Sequence, residues 1–215
     1  MAMVSSIATA AFADTYDLNT GSVTVETKDD GITYVTQEDK TQEDGYARND
    51  NNDILNEHPD STGVTITSDD KKTSNTITVE TAKDQTTDVT LENVDIEQPD
   101  SHWSECTDPA PIEIKGKGDT NLELNGNNTV LSGNSNHAAI EKADKYGTGT
   151  LTIKDEVNDG GTGKLLAGGY EEGAAIGGGA GDLGDTSNIT ITGGEITAIG
   201  GNNGGSGIGG GGRPG

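Results

Sequence analysis

Trp103 is the one tryptophan of the chain, with His102 and Glu105 close beside it in the segment Glu97 to Ala110. An indole that stands out of a loop presents a flat apolar face, and neighbouring polar groups can take hydroxyls; proteins hold sugar rings in this way. Tyr170 is a further candidate for the same surface, and Tyr34, Tyr46 and Tyr146 could add to it. The plainer role for Trp103 is to fold back and anchor its own loop.

Oxygen ligands come in close order at Asp50-Asn51-Asn52-Asp53 and on to Glu57. A hard cation such as calcium needs such a set, so Asp50, Asp53 and Glu57 are candidate calcium ligands. The stretch fails the EF-hand template, because Ile54 and Leu55 stand where a ligand and the turn glycine belong. Asp182, Asp185 or Glu171-Glu172 could build a discontinuous site instead, and acidic residues in solvated loops are the simple alternative to both.

Catalysis finds little to stand on. A polysaccharide lyase needs a basic group to take the proton beside a uronate carboxyl, usually with calcium acidifying it. The two arginines, Arg48 and Arg213, lie in an irregular stretch and at the far end of the chain. Lys115, Lys117, Lys142, Lys154 and Lys164 read as solvated. The Asn-Thr-Asp, Asp-Asp and Gly-His-Gly phrases of polygalacturonase-like hydrolases have no counterpart: Asp69-Asp70 reads as a turn, and His137 sits in Asn136-His137-Ala138. No residue is assigned a catalytic role.

The elements that must position these residues form a repeat. Gly173-Ala174-Ala175-Ile176-Gly177-Gly178-Gly179 returns as Gly205-Ser206-Gly207-Ile208-Gly209-Gly210-Gly211, with Asn188 to Gly194 and Glu195 to Gly201 between them. Three phrases can be followed backwards. Val89-Thr90-Leu91, Leu122-Glu123-Leu124, Leu151-Thr152-Ile153 and Ile189-Thr190-Ile191 recur at separations of 33, 29 and 38 residues. A second phrase runs through Val94 to Ile96, Thr129 to Leu131, Lys164 to Ala167 and Glu195 to Ala198. A third runs through Pro111 to Ile114, Ala138 to Ile140, Ala174 to Ile176 and Ser206 to Ile208.

Each phrase is too short for a helix and alternates with period two, which predicts a strand with one buried face. Three short strands per coil of about 28 to 38 residues predict an all-β, right-handed parallel β-helix. Val89, Leu91, Leu122, Leu124, Leu151, Ile153, Ile189 and Ile191 are then expected to stack inward. Thr90, Glu123, Thr152 and Thr190 are expected to face solvent. An ice-binding threonine ladder ranks last, since Glu123 and Lys154 interrupt it.

Composition fits a solenoid better than a conventional core. Only 29% of the chain is apolar and 3% aromatic, a balance that suits disorder unless a thin aliphatic column is repeated. The formal net charge of −24 argues against nucleic acid and against anionic membranes as partners. A single cysteine rules out an internal disulfide.

Residues 1–13, ending Ala11-Phe12-Ala13, match the last part of a signal peptide, and the missing basic residues place its start further upstream. Nothing else approaches the ~20 apolar residues of a membrane span. Residues 14–81 read as an N-terminal cap and first irregular coils, interrupted by an acidic insertion at 37–61. Residues 82–215 read as the regular coils, which are expected to continue past Gly215 because no polar cap follows.

The phrases Gly173 to Gly179, Asn188 to Gly194 and Gly205 to Gly211 resemble the glycine-rich β-helix modules of secreted, cell-surface, adhesin-like proteins from anaerobic Gram-positive bacteria. Tyr16-Asp17-Leu18, Gly21 to Val25 and Leu122 to Thr129 are similar to the same family. The resemblance covers nearly everything after Asp14, and its motifs specify stacking and turns. It implies a secreted, non-catalytic module for adhesion or carbohydrate binding, with a polysaccharide or host glycan as partner and calcium as a cofactor of some members. A purely structural stalk is the first alternative, and a β-helix lyase or hydrolase the second.

Overall fold

The computed structural model describes residues 14–38, 63–100, 109–143, 149–156, 162–181 and 186–212. Among them every regular element is a β-strand. Alternation of β-branched and polar residues dictates this, as in Val64-Thr65-Ile66-Thr67, where buried and half-exposed positions alternate.

The strands form three sheets. The first holds six parallel strands: β1 (Asp14–Asp17), β4 (Val64–Thr67), β7 (Thr86–Glu92), β10 (Asp119–Asn125), β13 (Leu151–Lys154) and β16 (Ile189–Ile191). The second holds five: β5 (Lys72–Thr73), β8 (Asp95–Glu97), β11 (Asn127–Leu131), β14 (Lys164–Gly168) and β17 (Glu195–Ile199). The third runs from β18 (Ile208–Gly209) through β15 (Ile176–Gly177), β12 (Ile140–Lys142), β9 (Ile112–Gly116) and β6 (Ile77–Thr81) to β2 (Val23–Thr27) and β3 (Thr33–Gln37). Only the β2–β3 hairpin is antiparallel. From β4 onward the chain visits the three sheets in strict rotation, so each strand pairs with the strand three places on.

The apolar faces of all three sheets meet in one core. In the third sheet Val23, Ile77, Ile112, Ile140, Ile176 and Ile208 fall in one register row. In the second, Ile96, Val130, Ala167 and Ala198 do the same. Both rows follow the sequence phrases.

The first sheet departs from them in three respects. Leu122 lies opposite Ile153, and Leu151 lies opposite Thr120, a slide of two residues that leaves every side chain on its own face. Glu123 is buried rather than solvated, because its carboxylate accepts the Glu156 main-chain N–H at 2.6 Å under the strand end at 154–156. Ile191 points inward in register with Ile153 yet is 38% exposed, since no described strand pairs beyond β16.

Between the first and third sheets the core turns polar. Thr27 bonds Thr33 at 2.9 Å and Thr87 at 2.7 Å; Thr87 bonds Thr81 at 2.7 Å, and Thr81 bonds Thr120 at 3.2 Å. The chain of hydroxyls satisfies groups that would be costly to bury singly. Lys142 is buried too, in the row of Val35, Val25, Val79 and Ile114, and its ammonium donates to the carbonyls of Gly149 and Ser187, each at 2.8 Å. The expected solvated role therefore fails for Lys142.

Candidate functional site

The outer face of the third sheet carries a polar row. Thr36, Thr24, Thr78, Glu113 and Glu141 stand side by side on β3, β2, β6, β9 and β12. Strands lie roughly 4.8 Å apart, so the row is about 19 Å long. Gly177 takes the next place, where φ is 135° and a Cβ atom would strike the Gly209 carbonyl oxygen; only glycine fits there, and the row of side chains ends.

A cleft of about 520 Å³ opens over this row, at the corner where the chain passes from the second sheet to the third. Thr24, Thr78 and Glu113 form its floor, and Ser22, Ser74, Asn75 and Thr76 one side. Glu38, Gln98, Pro99 and Pro109 complete the lining. Neither lysine, arginine nor histidine is among these residues.

Gln98 has an unusual environment. Its main-chain N–H donates to the Leu131 carbonyl at 3.1 Å, which fixes the residue at the end of β8. Its side chain is 8% exposed, and its Nε2 donates to the Pro109 carbonyl at 2.8 Å. The Oε1 atom is buried and accepts no hydrogen bond. An acceptor buried in this state costs on the order of 1–3 kcal/mol, which a donor from a bound molecule would recover.

The carboxylates of the row are committed. Glu113 pairs with Lys115 at 2.5 Å. Glu141, 2% exposed, accepts the Ala138 main-chain N–H at 2.8 Å and contacts His137 Nδ1 at 3.0 Å. The Glu141 hydrogen bond raises the His137 pKa, with the charges of Glu141 and Glu113 adding to it, while burial and Lys115 oppose the rise.

Of the residues singled out from sequence, His102, Trp103 and Glu105 lie outside the described residues, as do Asp50, Asp53 and Glu57. Of the described residues flanking these segments, Glu38, Pro99 and Pro109 line the cleft. Tyr170 lies between β14 and β15, two coils beyond Gln98, and is half-buried. Burial raises its pKa first, and the charges of Asp100 and Glu171 add to it. Tyr170 does not line the cleft.

Asp182 and Asp185 are likewise outside the described residues. Glu171 accepts a hydrogen bond from Ser135 Oγ at 2.5 Å, and Glu172 is buried with its Oε2 unbonded. Among the described residues no three acidic, histidine or cysteine side chains gather as a metal site.

Sequence reasoning missed Gln98, Thr24, Thr78 and Glu113. Gln98 was inside a segment read only as irregular, and nothing local distinguishes a strand-end glutamine from a loop glutamine. Thr24, Thr78 and Glu113 come together only through register. No family model, no curated protein and no solved structure matches the chain.

Proposed function

We propose that the chain is a right-handed parallel β-helix, acting as a secreted, non-catalytic glycan-binding module at a cell surface. The rotation of strands through three sheets supports the β-helix, and crossovers between parallel strands are right-handed in nearly all proteins. The observation that carries the binding reading is the buried, unpartnered Oε1 of Gln98, a residue that lines a cleft rich in hydroxyls. Such a lining offers hydrogen bonds in both directions and little apolar grip, which matches a polyol. A row repeating at the strand spacing also suits successive rings of an extended polysaccharide. Several shallow contacts along one rigid face would add by avidity.

Glu113 and Glu141, in register on adjacent strands, favour a hydrolase as a second reading. Against it, each already has a cationic or N–H partner, and Glu141 lies outside the cleft lining. A stalk without ligand leaves the Gln98 acceptor without a purpose.

The test is retention on immobilised plant and host polysaccharides, with and without calcium, while reducing and unsaturated products are assayed. Retention without products, lost when Thr78→Trp fills the cleft, is the expected result. Failure to bind any glycan would leave the stalk; product release would establish an enzyme.

A further inference from the structure

We infer that the cleft selects amino sugars, taking a glycan with free ammonium groups in preference to a neutral one and rejecting uronates. The inference rests on the glycan-binding reading and adds the class of sugar. Among the described residues, the two charged ones lining the cleft are both acidic, Glu38 and Glu113. Glu113 is neutralised by Lys115. Glu38 is exposed: its main-chain N–H donates to the Ser22 carbonyl at 2.9 Å, while its carboxylate makes neither a hydrogen bond nor an ion pair among the described residues. The buried Gln98 Oε1 is a second acceptor without a donor.

An ammonium group supplies three donors and a positive charge, so it suits a lining of acceptors with a free carboxylate better than a hydroxyl, which supplies one donor and no charge. A uronate carboxylate would meet Glu38 with no cation among the described lining residues to offset it. The chain as a whole, at −24, would oppose its approach further.

Charge alone would draw any polyamine to so acidic a protein, so the experiment separates the cleft from the general field. Calorimetric titration of the full chain at physiological ionic strength would use three trisaccharides: fully deacetylated glucosamine, glucose in β-1,4 linkage, and galacturonate. The glucosamine trimer is expected to bind roughly fivefold tighter than the glucose trimer, the scale of one partly exposed ion pair. Glu38→Gln should abolish that preference. Asp88→Asn removes an equal charge from the exposed face of the first sheet and should leave the preference intact.

Equal binding of the two trimers, tighter binding of galacturonate, or a preference that Asp88→Asn removes as fully as Glu38→Gln would each overturn the inference and leave glycan binding standing. If none of the three trisaccharides bound, the glycan reading itself would fall.

Discussion

Leu122 stands in register with Val89 on one neighbouring strand and with Ile153 on the other, so the aliphatic column of the first sheet passes through Ile153 and not Leu151. Ile153 is fully buried, whereas Ile191, next in the column, is 38% exposed. Ile153→Asp is therefore expected to abolish the cooperative unfolding transition, since a charge at that depth has no partner. Ile191→Asp should cost about 1 kcal/mol or less, as for other partly exposed positions. Thermal denaturation of the two variants checks the register; equal losses would contradict it.

Thr87 holds the middle of the buried hydroxyl chain, bonded to both Thr27 and Thr81. Thr87→Val keeps the shape and deletes both bonds, which leaves two hydroxyls to re-pair. Urea unfolding should show a loss of about 1–3 kcal/mol. A variant as stable as the parent would mean that the remaining threonines satisfy one another.

His137 links stability to pH. Its pKa is raised above 6.5, first by the hydrogen bond its ring N–H donates to the Glu141 carboxylate. The folded state thus keeps a proton that the unfolded chain has begun to release. The resulting stability is fully present below pH 6.5 and is lost as pH rises through the folded value. Urea midpoints should fall from about pH 6 toward about pH 9, and His137→Gln should flatten that decline. A decline of the same size in the variant would assign the effect to other groups.

Strand identity was legible because it is written locally. Ile112-Glu113-Ile114 and Ile140 needed only alternation and recurrence to be placed in one row of the third sheet. Register in the first sheet was not legible, because a slide of two residues preserves every face and leaves no trace in the pattern. The depth of Lys142 and Glu123 was hidden for a related reason. Each charge is made tolerable by groups brought in from other strands: the carbonyls of Gly149 and Ser187 for one, the Glu156 N–H for the other. The cleft is likewise a product of stacking. Thr24, Thr78 and Glu113 are 54 and 35 residues apart in the chain and adjacent only across strands.

The glycan-binding account depends most on Gln98, and Gln98→Leu tests it most directly. The substitution removes the orphaned acceptor and releases the carbonyl of Pro109, an exposed residue. Without ligand the variant should unfold within about 1 kcal/mol of the parent. Its affinity for an oligosaccharide that the parent binds should drop at least tenfold, measured by calorimetric titration, because the hydrogen bond the ligand supplies has lost its acceptor. Unchanged affinity in a variant of unchanged stability would show that the ligand does not reach Gln98 and would contradict the assignment of the cleft.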